Sequence, residues 1–232
     1  GNPGRLPMLA HKLTGLFVAA AILLQGCAGP VRKDAVPESL TAEAQVPGLA
    51  DVRYRIGVDN EAFAREGIDS VRREQAYLKA TGYGGPLPPA KLLAISGGGD
   101  NGAFGAGLLN GWSAAGDRPT FKLVTGVSTG ALIAPFAFLG PKYDDALKDF
   151  YTNISPEDIL ERRSLIAAVT DDALADNRPL WNRVEQEVDQ AFLDEIAAEY
   201  EKGRLLLIAT VDLDARQGML LNITRIVASR VP

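Results

Sequence analysis

The 232-residue sequence contains one cysteine, Cys27, and one histidine, His11. A lone cysteine excludes a disulfide within the chain and any cysteine-based zinc cluster. Net charge is −5 and no long basic run occurs, which argues against a nucleic-acid partner. No Asp-Gly dipeptide occurs anywhere in the sequence. What is present is ordinary globular composition, 47% hydrophobic and 23% charged, neither disordered nor collagenous. Setting aside an N-terminal address leaves roughly 200 residues, enough for one α/β domain with a sizeable core. No internal repeat is visible, and neither a metal nor a cofactor is expected.

Arg5, His11 and Lys12 precede an apolar stretch over residues 13–24, followed by Gln25-Gly26-Cys27. A cationic start, an apolar centre and small residues at the end describe a secretory signal. The stretch is short of the roughly 20 apolar residues that a membrane span needs. Leu24-Gln25-Gly26-Cys27 resembles the bacterial lipobox, in which the cysteine is lipidated and becomes the first mature residue. Residues 1–26 are therefore expected to be a lipoprotein-type signal peptide, with membrane attachment through Cys27. Acyl chains at about 0.8 kcal/mol per buried CH₂ anchor a protein stably once two are present. Ala28 rather than aspartate follows the cysteine. That choice points to the bacterial cell envelope, at the outer membrane facing the periplasm. The competing reading is a buried apolar helix with an incidental cysteine.

Residues 29–48 are rich in Pro, Ala and charge without a clear period, as in a tether. A surface helix is expected over residues 61–79, and residues 27–90 together read as tether and N-terminal helical extension. The compact domain is expected over residues 91–232. Leu92-Leu93-Ala94-Ile95 is a short apolar run bounded by turn residues, as in a buried parallel strand. Residues 102–115 read as a helix, 121–125 as a strand and 131–139 as a buried helix kinked at Pro135. Helical patterns come next at 144–150, 156–169 and 179–201. In the last of these Leu180, Val184, Val188, Phe192 and Ile196 recur every four residues and make one apolar stripe. Gly203 ends it, and residues 204–211 form a third strand. Strand-helix alternation predicts a three-layer α/β fold with a mainly parallel sheet.

Two motifs carry chemistry. Gly126-Val127-Ser128-Thr129-Gly130 fits G-x-S-x-G where a strand gives way to a helix. In that context the sharp turn strains the serine, and Gly126 and Gly130 relieve the crowding. The hydroxyl then projects at the strand's C-terminal end, beside a helix N-terminus that favours developing negative charge. The plainer alternative is a glycine-rich packing turn. Ser96-Gly97-Gly98-Gly99-Asp100-Asn101-Gly102 follows the first strand and opens a helix. Successive glycine N–H groups converge readily on an anion. As G-x-G-x-x-G the loop could cradle a dinucleotide pyrophosphate, but that reading wants an acidic residue ending the second strand. The other reading is an oxyanion hole from Gly97, Gly98 and Gly99, facing a nucleophile at Ser128. His11 precedes the expected cleavage site, so a Ser-His-Asp triad is excluded from the mature chain. A serine activated directly by a carboxylate stays open.

A glycine-rich loop, a G-x-S-x-G elbow and no histidine together resemble the patatin-like phospholipases, from about Leu92 onward. The resemblance implies a three-layer α/β/α domain that hydrolyses lipid acyl esters through a Ser-Asp dyad. Ser128 is then the nucleophile, and the backbone around Gly97, Gly98 and Gly99 the oxyanion hole. Many relatives carry an arginine where Asn101 stands. The family's catalytic aspartate lies in an Asp-Gly-Gly/Ala turn on a late strand, which this sequence lacks. The domain is therefore expected to be incomplete at its C-terminus, leaving apolar faces of Leu205, Leu207 and Ile226 uncovered. Asp212 and Asp214 are the nearest local carboxylates, better read as solvated turn residues than as bases. Two readings of other classes stand beside the hydrolase. One is a membrane-tethered protein without catalysis that binds acyl chains or a partner; the other is a nucleotide-binding domain.

Overall fold

The computed structural model describes residues 34, 36–152 and 184–229. The expected signal peptide, Cys27 and the helical pattern at 156–169 lie outside the described residues. Contacts divide the chain after Ala35, and every element of the fold belongs to the unit Val36–Pro232.

In chain order the elements are β1 (Arg53–Arg55), α1 (Asn60–Ala80), β2 (Leu92–Ile95), α2 (Gly102–Ala115), β3 (Leu123–Val127), α3 (Thr129–Leu139) and α4 (Asp144–Thr152). They continue with α5 (Gln190–Glu201), β4 (Leu205–Asp212), β5 (Gln217–Asn222) and α6 (Ile223–Ala228). The strands form one sheet in the order β1-β5-β4-β3-β2. β2, β3 and β4 are parallel, while β5 is antiparallel to both β4 and β1. The α/β fold with a parallel sheet core is the one expected, and the antiparallel edge is an addition to it. β1 comes from the stretch read as tether and extension, so part of that stretch belongs to the sheet. Among the described residues, no helix is long and apolar enough to cross a membrane.

Several boundaries differ from expectation by one or two residues, and two departures have a visible cause. β3 begins and ends two residues later, because parallel pairing with β4 continues to Val127 opposite Ala209. Phe121 instead turns its ring into the core against Trp112, and its carbonyl accepts from Arg204 Nε at 2.8 Å. The helix expected over 179–201 is interrupted at Val188–Asp189. Asp189 is extended and its carboxylate accepts from the Phe192 N–H at 2.8 Å, capping a new helix. An N-cap side chain satisfies a backbone donor that an uninterrupted helix would satisfy itself, so the stripe survives while the helix restarts.

One face of the sheet buries Val124 and Leu206 against Ile133, Ala134, Phe136 and Ala137 of α3 and Phe192 and Ile196 of α5. α1 reaches the other face, where Phe63 meets Tyr54 edge to face at 5.5 Å between ring centroids. Helices therefore flank both faces, but the cover on the second is uneven. Along the row Leu92–Leu123–Leu205, relative exposure is 66% at Leu92 and 4% at Leu205. Leu205 and Leu207 are buried and Ile226 is half-buried, contrary to the expectation that these would be uncovered. The open apolar strand positions are Leu92 on β2, Val127 on β3 and Val211 near the end of β4. The antiparallel β5-β1 addition, together with α1, covers the side expected to be bare.

Candidate active site

The parallel strands place the ends of β2 and β3 side by side, with Ile95 opposite Gly126. Ser128 follows β3 and precedes the first residue of α3, with φ 54° and ψ −126°. Among the described residues only Asp51, Ser128 and Arg216 combine a side chain with positive φ. Such a conformation costs about 1–3 kcal/mol and persists only where the surroundings enforce it. Here they do. A methyl group at Gly126 would overlap the Gly130 backbone, and one at Gly130 would overlap the Ile95 carbonyl and lie 2.7 Å from the Ser96 carbonyl oxygen. The chain doubles back so tightly that neither position admits a side chain. The result leaves Ser128 exposed and Thr129 and Gly130 buried.

The glycine loop lies against this elbow. A methyl group at Gly97 would come 3.0 Å from Ser128 Cβ and 3.6 Å from Oγ. Gly98 and Gly99 have φ of 156° and 55°, values that only glycine adopts without strain. The Asn101 N–H closes the loop onto the Gly98 carbonyl at 3.1 Å. Gly102 then opens α2, and the Ala131 N–H bonds the Ser128 carbonyl at 2.9 Å to close the first turn of α3. Gly97, Gly126, Ser128 and Gly130, singled out in the sequence, thus converge at one end of the sheet.

Sequence reasoning missed two residues. Thr129 is buried, and its hydroxyl shares a 2.9 Å hydrogen bond with the Tyr151 hydroxyl of α4. Tyr151 also donates to the Thr129 carbonyl at 3.5 Å. Thr129 could have been noticed as the residue after the elbow serine, whose N–H commonly completes an oxyanion hole. Tyr151 carries no local signal.

Asp212, the first of the two local carboxylates, is committed elsewhere. Asp212 pairs with the Arg53 guanidinium at 2.9 Å and accepts from the Ala215 N–H at 3.0 Å. It lies three residues beyond Ala209, the partner of Val127. His11 is outside the described residues. Among the described residues, no cluster of His, Cys, Asp or Glu could hold a metal ion.

The family model for patatin-like phospholipase matches residues 93–223. That span runs from β2 through β5 and contains the glycine loop and the elbow. No curated protein and no solved structure matches the chain.

Proposed function

The chain belongs to the patatin-like phospholipase family, and on that premise we propose that it is a serine lipid acyl hydrolase with Ser128 as nucleophile. The observation that carries this reading is the positive-φ Ser128 at the β3–α3 turn with Gly97 packed against it. In the proposed reaction Ser128 Oγ attacks the ester carbonyl carbon and its proton passes to an aspartate. The carbonyl oxygen, now carrying the negative charge, is held by N–H groups of the 97–99 loop and of Thr129. Collapse of the adduct expels the alcohol and leaves an acyl-serine, which water then hydrolyses. Each preorganised oxyanion donor contributes about 3–4 kcal/mol to such a step.

The base of the proposed dyad is an aspartate not present among these 232 residues. Two facts support this: no Asp-Gly dipeptide occurs in the sequence, and Asp212 is held by Arg53. Anchoring through lipidated Cys27, in a bacterial envelope, completes the proposal and rests on the Leu24–Cys27 pattern. The loop's fit against a serine, and the absence of an acidic residue ending β3, favour an oxyanion hole over a dinucleotide site.

A fluorophosphonate probe tests the reading directly. General-base help is worth about 10²–10⁴-fold, so labelling of this chain is expected to be slow yet specific for Ser128, and lost in Ser128→Ala. Folded protein that labels no faster than Ser128→Ala would sink the hydrolase reading and leave the non-catalytic tethered protein.

A further inference from the structure

The elbow and the glycine loop meet a third element, α4, that belongs to neither motif. Gly102, the first residue of α2, packs so closely on Thr129 and Tyr151 that a methyl group there would overlap Thr129 Oγ1 and lie 2.8 Å from the Tyr151 hydroxyl. Thr129 is the first residue of α3 and directly follows Ser128. Tyr151 stands near the end of α4 and reaches both Thr129 Oγ1, at 2.9 Å, and the Thr129 carbonyl, at 3.5 Å. At this one point the exit of the loop, the entry of the nucleophile's helix and a phenol from a distant helix are in contact.

We infer that Tyr151 is a positioning residue: acting through Thr129, it sets the separation between Ser128 and the 97–99 loop. The inference rests on the proposed acyl-hydrolase reading for its catalytic consequence, though the contact itself does not. The physical argument is one of leverage. Ser128 is held in a strained conformation, which surrounding contacts must over-determine. The glycines at 126 and 130 prevent clashes but supply no tether of their own, since they have no side chains. The Tyr151–Thr129 bond fixes the first turn of α3 from outside, and Gly102 beneath it ties that turn to the loop. Thr129 is buried, so loss of the Tyr151 hydroxyl leaves the Thr129 hydroxyl poorly satisfied. Small displacements at a reacting centre are costly: about 1 Å of misplacement can lose 10²-fold in rate.

The test compares wild type, Tyr151→Phe, Thr129→Val and Thr129→Ser, each as the full 232-residue chain. Backbone amide resonances and their relaxation are read by NMR alongside fluorophosphonate labelling kinetics. In Tyr151→Phe and Thr129→Val, amides of residues 128–131 and 97–99 are expected to shift and gain mobility together, while those of β5 and α5 stay unchanged. The maximal labelling rate is expected to fall about tenfold in both, with little change in the probe concentration giving half that rate. Thr129→Ser keeps the hydroxyl and should restore both readouts. The double variant should be no worse than either single one. Wild-type resonances at both segments in Tyr151→Phe, or changes spread evenly over the fold, would overturn the inference. If the probe leaves wild type unlabelled but the coupled shifts occur, the hydrolase reading falls and the positioning stands. Equal labelling of wild type and Tyr151→Phe would remove the positioning role and leave the hydrolase reading intact.

Discussion

Gly97 and Ser128 sit side by side at the end of the parallel sheet, with room between them for no more than a hydrogen atom: a methyl group on Gly97 would come 3.0 Å from Ser128 Cβ. This contact joins the two motifs into one site. Gly97→Ala must therefore push the loop and the elbow apart by a few tenths of an ångström. Labelling at Ser128 is expected to slow by about tenfold or more, since oxyanion donors act only over a narrow range of distance. The melting temperature should change little, because the loop is exposed at Gly97. Thermal melts and probe kinetics on the same preparation check both parts.

Ser128 also stores strain, and its removal separates stability from chemistry. Ser128→Ala and Ser128→Gly both delete the hydroxyl, but only glycine adopts φ 54° and ψ −126° without a steric penalty. The glycine variant is expected to be more stable than the alanine variant by about 1 kcal/mol, after the larger chain entropy of unfolded glycine is subtracted. Urea denaturation of the two variants measures the difference. An alanine variant as stable as the glycine one would mean that the backbone at 128 carries no strain.

Asp59 offers a pH-dependent handle at the junction of β1 and α1. Its carboxylate accepts from Arg55 Nε at 2.9 Å, from an Arg55 terminal nitrogen at 2.6 Å and from the Arg55 backbone N–H at 2.7 Å. The Arg55 guanidinium, by these side-chain hydrogen bonds, holds the Asp59 pKa below the ordinary carboxylate value. A carboxylate whose folded pKa is depressed contributes stability above its unfolded pKa, about 3.9, and loses it as pH falls through the folded value. Asp59→Asn should accordingly lower the melting temperature at pH 7, and the gap from wild type should narrow steadily below about pH 4. A gap that is independent of pH would assign the effect to altered hydrogen bonding with Arg55 rather than lost charge.

Cys27 carries the prediction about targeting. In a bacterial host, metabolic labelling with a fatty-acid analogue is expected to mark the wild-type chain, and Cys27→Ser should abolish the mark. N-terminal processing should stop with it, because the cysteine marks the cleavage point in the pattern that residues 24–27 resemble. Equal labelling of the two proteins would remove the anchor from the proposal.

The sequence by itself determined the parts of this protein whose signals are local. The run Leu92–Ile95 and the helix Gly102–Ala115 formed where periodicity and bounding turn residues placed them. The elbow was legible because glycine spacing around Ser128 encodes a backbone path that other residues cannot follow. Tertiary structure decided everything that depended on residues far apart in the chain. Arg53–Arg55 is too short and too charged to read as a strand, and it became one because Met219–Leu221 lay open beside it. Asp189 interrupted the helix beneath an apolar stripe that ran on in sequence. Gly130 was required by the carbonyl of Ile95, 35 positions earlier, and Thr129 found Tyr151, 22 positions later. Such contacts leave no periodicity to read, because one close approach or one hydrogen bond constrains a single residue and repeats nowhere.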